Sequence, residues 1–227
     1  MERNIDMNEI SDGKRYGAGD MVKADCGNCQ GCSACCRGMG TSVVLDPYDI
    51  YRFTAGLRTT FQALMTDRVE LNVVDGIILP NLKMAGEKEQ CVFLNAEGRC
   101  SIHAIRPGFC RLFPLGRIYE DGSFYYFLQI HECRKENRSK VKVRKWIDTP
   151  DFRTYEKFIC DWHYYLKDLS GYLKEKADDA GQEAREISIY ILNQFYIRAY
   201  DSKIDFYSQF YQRLEEGKEK YRWNSVR

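Results

Sequence analysis

The stretch CGNCQGCSACCRGMG, residues 26–40, decides how this chain is read. Thiols recur at every third position from Cys26 through Cys29 and Cys32 to Cys35, and Cys36 follows directly. In a C-x2-C turn two thiolates converge on one ion while the intervening amides turn toward the sulfurs. A single step of this kind is a modest signal, whereas overlapping steps are a strong one. Two registers fit. Cys26, Cys29, Cys32 and Cys36 have the spacing of a bacterial ferredoxin run, with Arg37 where proline would follow. Cys29, Cys32, Cys35 and Cys36 read instead as C-x2-C-x2-C-C. Cys35 and Cys36 are not expected to bond to each other. Neighbouring Cα atoms lie about 3.8 Å apart, and ordinary disulfides need at least about 4.4 Å.

The totals frame this knot. The chain has 227 residues, with 44% hydrophobic and 30% charged content. That suits one good core, or one domain with a helical appendage. A net charge of +1 gives no global pull toward nucleic acid or membrane, so neither is an expected partner. The longest apolar run, Phe124 to Ile130, is too short to span a bilayer. The polar N-terminus lacks the apolar core of a signal peptide, so a cytoplasmic protein is expected. Thiols there are kept reduced. Ten cysteines are then better explained by metal binding or catalysis than by a disulfide framework.

The fold class expected is α+β: a small, irregular, cysteine-rich domain of short hairpins and helices around metal, followed by a helical C-terminal region. The divisions are a polar segment over 1–25, the cysteine domain over 26–148 and helices over 149–227. Residues 41–45 read as a short strand. Asp46 then offers an N-cap with Pro47 at the first helical position. Residues 69–74 and 77–82 flank the Asp75-Gly76 turn as a hairpin, with Pro80 keeping the second strand near an edge. Residues 91–94 and 99–102 flank another tight turn, which would bring Cys91 and Cys100 together. A third hairpin pairs 115–119 with 123–130 and leads into Cys133. Thr149-Pro150 reads as a second cap-and-proline start, opening helices near 150–177, 182–200 and 202–222.

The dispersed thiols Cys91, Cys100, Cys110 and Cys133 could each be a small buried hydrophobe. Their neighbours argue otherwise. Arg37, Arg99, Arg111 and Arg134 adjoin Cys36, Cys100, Cys110 and Cys133, and Arg106 lies close by. Guanidinium groups offset the negative charge of a thiolate centre and donate to sulfur. Cys133 carries the weakest case of the four. His103, His131 and His163 are the only histidines, and His131 stands two residues before Cys133. Cys160 sits in an aromatic helical stretch and reads as a packed thiol. The basic run 134–145 reads as a solvated face or a shield for an anionic cluster. Tyr155, Phe158, Trp162, Tyr165, Tyr190, Phe195 and Phe210 read as helix core.

The run of Cys29, Cys32, Cys35 and Cys36, followed by CVFLNAEGRCSIHAIRPGFCRLFP (91–114), resembles the YkgJ-type cysteine-cluster family of zinc- or iron-chelating proteins. The matching positions are those four cysteines with Cys91, Cys100, Arg106, Pro107, Cys110, Arg111 and Pro114. The resemblance covers about 26–133. Flagellin lysine methylases carry a similar cysteine region, and the resemblance implies an iron–sulfur cluster. Two departures stand out: Cys26 is an additional thiol, and His103 stands where tyrosine is usual. The expected ligands are therefore Cys29, Cys32, Cys35, Cys36, Cys91, Cys100, Cys110 and Cys133, with Arg37, Arg106 and Arg111 beside the cofactor. A [4Fe–4S] cluster is the favoured cofactor and zinc the alternative. The expected role is redox or cluster-assisted group transfer on a protein partner or substrate. A zinc-stapled binding module is the rival, and a lysine methylase-like enzyme a weaker third, since no glycine-rich cofactor loop is present.

Overall fold

A computed structural model describes residues 6–27, 29–30, 32–176 and 180–221. The expected N-terminal segment and the ends of two expected helices fall partly outside them. Helices are α1 (Met7–Ile10), α2 (Pro47–Leu57), α3 (Phe61–Asp67), α4 (Gly108–Leu112), α5 (Val143–Ile147), α6 (Phe152–Glu175), α7 (Ala180–Leu192) and α8 (Phe206–Lys220). Strands are β1 (Met21–Asp25), β2 (Val69–Val74), β3 (Ile77–Leu82), β4 (Met84–Ala85), β5 (Gln90–Cys91), β6 (Leu115–Glu120), β7 (Ser123–Leu128) and β8 (Ser139–Lys142). They form four separate antiparallel pairs, β1 with β8, β2 with β3, β4 with β5 and β6 with β7. The fold is α+β.

Local chemistry explains the elements. Asp46 and Asp49 close a reciprocal capping box at α2, with Pro47 at the first position. Asp75 and Gly76 both take left-handed backbone angles, which a two-residue hairpin turn requires. The β2–β3 register runs unbroken from Val69↔Leu82 to Val74↔Ile77.

Three expectations are corrected. Residues 41–45 form no strand of their own, but they line β3: Leu45 donates to the Pro80 carbonyl and Leu82 to that of Val43. Pro80 therefore does not sit on a bare edge. The Thr149-Pro150 start fails because the Thr149 hydroxyl bonds the Ile147 carbonyl, and the chain turns through left-handed Asp148 and Asp151 before α6 begins. The last helix starts at Phe206, where Asp205 accepts from the Ser208 amide at 2.7 Å.

On α6, Tyr155, Phe158, Ile159, Trp162, Tyr165, Leu169 and Leu173 are buried at spacings of three and four. Phe158 meets Phe210 of α8 at 4.6 Å between ring centroids, and Trp162 meets Phe195 at 4.9 Å. Phe195 lies in a π-helical turn, Asn193–Ile197, that continues α7. Tyr48 of α2 joins the group through Phe206 at 4.9 Å. The helices are tied to the hairpins by hydrogen bonds, Tyr196 to the Leu45 carbonyl at 3.0 Å and the Ile78 amide to Ser188 Oγ at 2.9 Å. The buried residues form one continuous core.

Phe158 is fully buried within this aromatic group, so Phe158→Ala should cost about 3–5 kcal/mol in chemical denaturation. Val73→Ala, on the exposed face of β2, should stay within about 0.5 kcal/mol of the parent.

Candidate metal centre

Four chain segments converge on two adjoining clefts. The first is the turn Ala34–Cys36, a short 3-10 segment. It is pinned at its far end, where Arg37 bridges to Gln90 and the Gly38 amide donates to the Glu89 carbonyl at 3.0 Å. That bridge lays Cys36 beside Cys91 at the end of β5. The second segment is the turn after Cys91. The Ser101 amide returns to the Phe93 carbonyl at 2.8 Å, and Leu94 bridges to Cys100. Cys91 and Cys100 are brought to one cleft, as the spacing predicts.

The third segment is α4, which carries Cys110. Its first amide, that of Gly108, donates to the buried Asp49 Oδ1 at 2.7 Å. Glycine is required there, because a Cβ would run into the Tyr155 hydroxyl. Burial pushes both Asp46 and Asp49 up, and the charge of Asp49 adds to the rise at Asp46. The fourth segment precedes β8 and carries Cys133. Pairing of Asp25 with Ser139 sets Cys26, the residue after β1, near this segment.

The larger cleft, about 810 Å3 with its mouth included, is lined by Cys29, Cys32, Cys35, Cys36, Cys91, Cys100 and Cys110. Arg99, His103 and Arg106 also face it. The smaller, about 430 Å3, is lined by Cys26, Cys29, Cys32, Cys35, Cys110 and Cys133, with Arg134 and Lys135. Every expected ligand thus faces one cleft or both. Cys160 does not; its thiol bonds the Gly122 carbonyl at 3.3 Å. Two contributors lay outside the expected set. Cys26 lies 3.8 Å from Cys29, sulfur to sulfur, and its C-x2-C spacing was the available signal. His103 is contacted through Nε2 by Arg106, and no spacing announced it.

The arginines divide. Arg106 is the cation whose field reaches Cys29, Cys35 and Cys100. Arg37 turns to Gln90 Oε1 at 2.8 Å. Arg111 spends its donors on the carbonyls of Ala104, Arg106 and Asp148, clamping the loop ahead of α4. Neither Arg37 nor Arg111 lines a cleft.

Burial, with neighbouring sulfurs adding to it, sets the electrostatics. Burial pushes the Cys29 thiol up to about 12, and Cys26 adds to the rise. Cys35 is raised by a hydrogen bond with Cys36 and then by burial. Burial raises Cys91, Cys100, Cys110 and Cys133. Against this, the backbone supplies groups that favour thiolate. Amides two residues on point at the sulfur in three places: Phe93 at Cys91, Ile102 at Cys100 and Lys135 at Cys133. Such N–H groups stabilise a bound thiolate. Among the described residues Arg106 Nε and Arg138 Nη1 are buried donors with no partner. A metal–thiolate centre of net negative charge fits both. Among the described residues no three donors stand close enough to hold an ion in their present rotamers, so binding requires side-chain rotation within the clefts.

Comparison with known proteins agrees with this chemistry. Residues 28–145, just over half of the chain, match the sequence profile of the CxxCxxCC family, described as a "putative zinc- or iron-chelating domain". The chain belongs to the CxxCxxCC family. No curated protein and no solved structure gives a significant match. The family profile covers both clefts except for Cys26, which lies two residues before it. Family membership supports metal binding and leaves zinc and iron both open.

Outer partners of metal ligands are worth about 10–100-fold in affinity, so loss of a ligand should cost at least that. Cys110→Ser and Cys32→Ser should each lose metal on dialysis, read by elemental analysis. Cys160→Ser should keep the parent's content. Equal behaviour of the three variants would remove the ligand assignment.

Proposed function

We propose that the larger cleft holds an iron–sulfur cluster, [4Fe–4S] by preference, which serves redox or cluster-assisted group transfer on a protein partner or substrate. The observation that carries this reading is the convergence of seven thiols on one cleft beside a partnerless buried guanidinium donor, Arg106 Nε. A [4Fe–4S] cluster, like a tetrahedral ion, takes four thiolates; its greater bulk suits the wider space. Such a cluster supplies one-electron transfer, with its potential set by charge, hydrogen bonds to sulfur and exposure.

The chain's own residues have definable parts in this. Cys36, Cys91, Cys100 and Cys110 supply thiolates from four structural positions. The amides of Phe93 and Ile102 hydrogen-bond two of them. Arg106 offsets the negative charge, and His103, in contact with it, stands at the cleft wall. Val43, Leu82, Met39 and Phe93 form an apolar floor that limits water.

The zinc-stapled module remains the second reading, favoured by the shortness of the sheets near the site: β4 and β5 have two residues each. Structural zinc supplies about 10–16 kcal/mol of apparent binding energy, ample for such pieces. One preparation separates the two. Protein purified without oxygen should be brown and hold about four iron and four acid-labile sulfide per chain. A colourless protein with zinc and no sulfide would replace the cluster with the module.

A further inference from the structure

We propose that the smaller cleft is a second, separate centre: a tetrathiolate site for a single divalent ion of the zinc type, ligated by Cys26, Cys29, Cys32 and Cys133. This rests on the larger cleft's being a metal centre as well, but it concerns different thiols and a different ion.

The topology ties the two ends of the cysteine knot to different partners. At the C-terminal end, the Arg37–Gln90 bridge delivers Cys36 to Cys91 and Cys100. At the N-terminal end, β1 pairs with β8, and Ser139 Oγ donates to Asp25 Oδ2 at 3.0 Å. That pairing delivers Cys26 to the segment of Cys133. Cys26 and Cys133 face only the smaller cleft; Cys36, Cys91 and Cys100 face only the larger.

Cys26 and Cys29 are already 3.8 Å apart, the separation of two thiolates on one tetrahedral ion. Cys133 lies within electrostatic reach of Cys26. The fourth ligand follows from what the remaining shared thiols do. Cys110 lies beside Cys91 and Cys100, and Cys35, next to Cys36 in the chain, is shared: its field reaches Cys91, Cys100 and Cys110 as well as Cys29 and Cys133. Cys32 is left. Its amide donates to the Cys29 carbonyl at 3.1 Å, and both residues line the smaller cleft. The assigned order is C-x2-C-x2-C with a distant fourth cysteine.

A second, independent feature points to an anionic centre here. The Lys135 amide bonds the Cys133 sulfur, and Arg138 Nη1, which lies within electrostatic reach of Cys133, is buried without a partner among the described residues. Arg134 and Lys135 stand on the wall. A divalent ion carrying four thiolates is net negative, and these groups would surround it. The smaller cleft has about half the space of the larger.

The test uses full-length protein purified without oxygen. Elemental analysis of the parent should give about one zinc per chain in addition to the iron. Cys26→Ala and Cys133→Ala should each lose the zinc, by tenfold or more, and keep iron, sulfide and colour. Cys91→Ala should do the reverse. Should the alanine variants fold poorly, the parent expressed with cobalt in place of zinc provides the second measurement. Its spectrum should show a tetrahedral, sulfur-ligated cobalt ion. Zinc and iron lost together from Cys26→Ala, metal content unchanged in that variant, or a cobalt spectrum without sulfur ligation would each overturn the second centre. Absence of iron and sulfide from the parent, with one zinc sensitive to Cys26 and another to Cys91, would instead remove the cluster and leave the second centre standing.

Discussion

A thiol can be buried cheaply, but a thiolate cannot unless something positive shares its space. This chain draws nine thiols from four segments into two adjoining clefts, with Cys91 buried and the other eight half-buried. Packed that way, each sulfur raises its neighbours' hold on their protons, as Cys26 does to Cys29 and Cys91 does to Cys110. Yet the surrounding backbone is shaped for the charged form. Amides aim at Cys91, Cys100 and Cys133, and Arg106 lies among the sulfurs. The two tendencies are reconciled by a cation that displaces the protons.

The scaffold around the clefts serves this placement. α4 is only five residues long and could not fix Cys110 by its own hydrogen bonds. It is held instead from outside: at its first amide by Asp49, and at its flank by Arg111, whose donors reach across to Ala104 and Asp148. Asp49 in turn is fixed by the capping box of α2. The indole of Trp146 donates to the Phe113 carbonyl at 3.1 Å, joining the exit of α4 to α5. Arg111 thus clamps the loop from its place beside Cys110.

Much of this was legible in the sequence where the signal was local. The β2–β3 hairpin falls on the expected residues because Asp75-Gly76 admits few alternatives. The α2 cap falls at Asp46 because a carboxylate, a proline and a second carboxylate all agree. The gathering of Cys91 and Cys100 followed from their turn. What failed was decided at a distance or by competition. Thr149 had another carbonyl to bond, so the helix began later. Arg37, too, meets a distant partner, Gln90, which spacing does not announce. The partition of the thiols into two clefts depends on β1 meeting β8 and on residues 37–38 meeting 89–90. Spacing along the chain carries no trace of either pairing.

The aromatic core bears on what the metal is for. Chains that depend on zinc for folding are small and lack another core. Here Phe53, Tyr155, Phe158, Phe195 and Phe210 are fully buried in one continuous core that extends from the hairpins through α6 and α8. A core of that extent organises the helices without help from the clefts, whereas the short strands and turns bearing the cysteines have little else to hold them. On the proposed reading, metal orders the cysteine-bearing turns rather than the helices. A centre whose loss leaves the body of the protein folded can change oxidation state or exchange ligands while the fold persists. That freedom suits the thiol-rich cleft walled by Arg106 and His103, and the narrower cleft of Cys26 and Cys133 is the one placed to act as a staple.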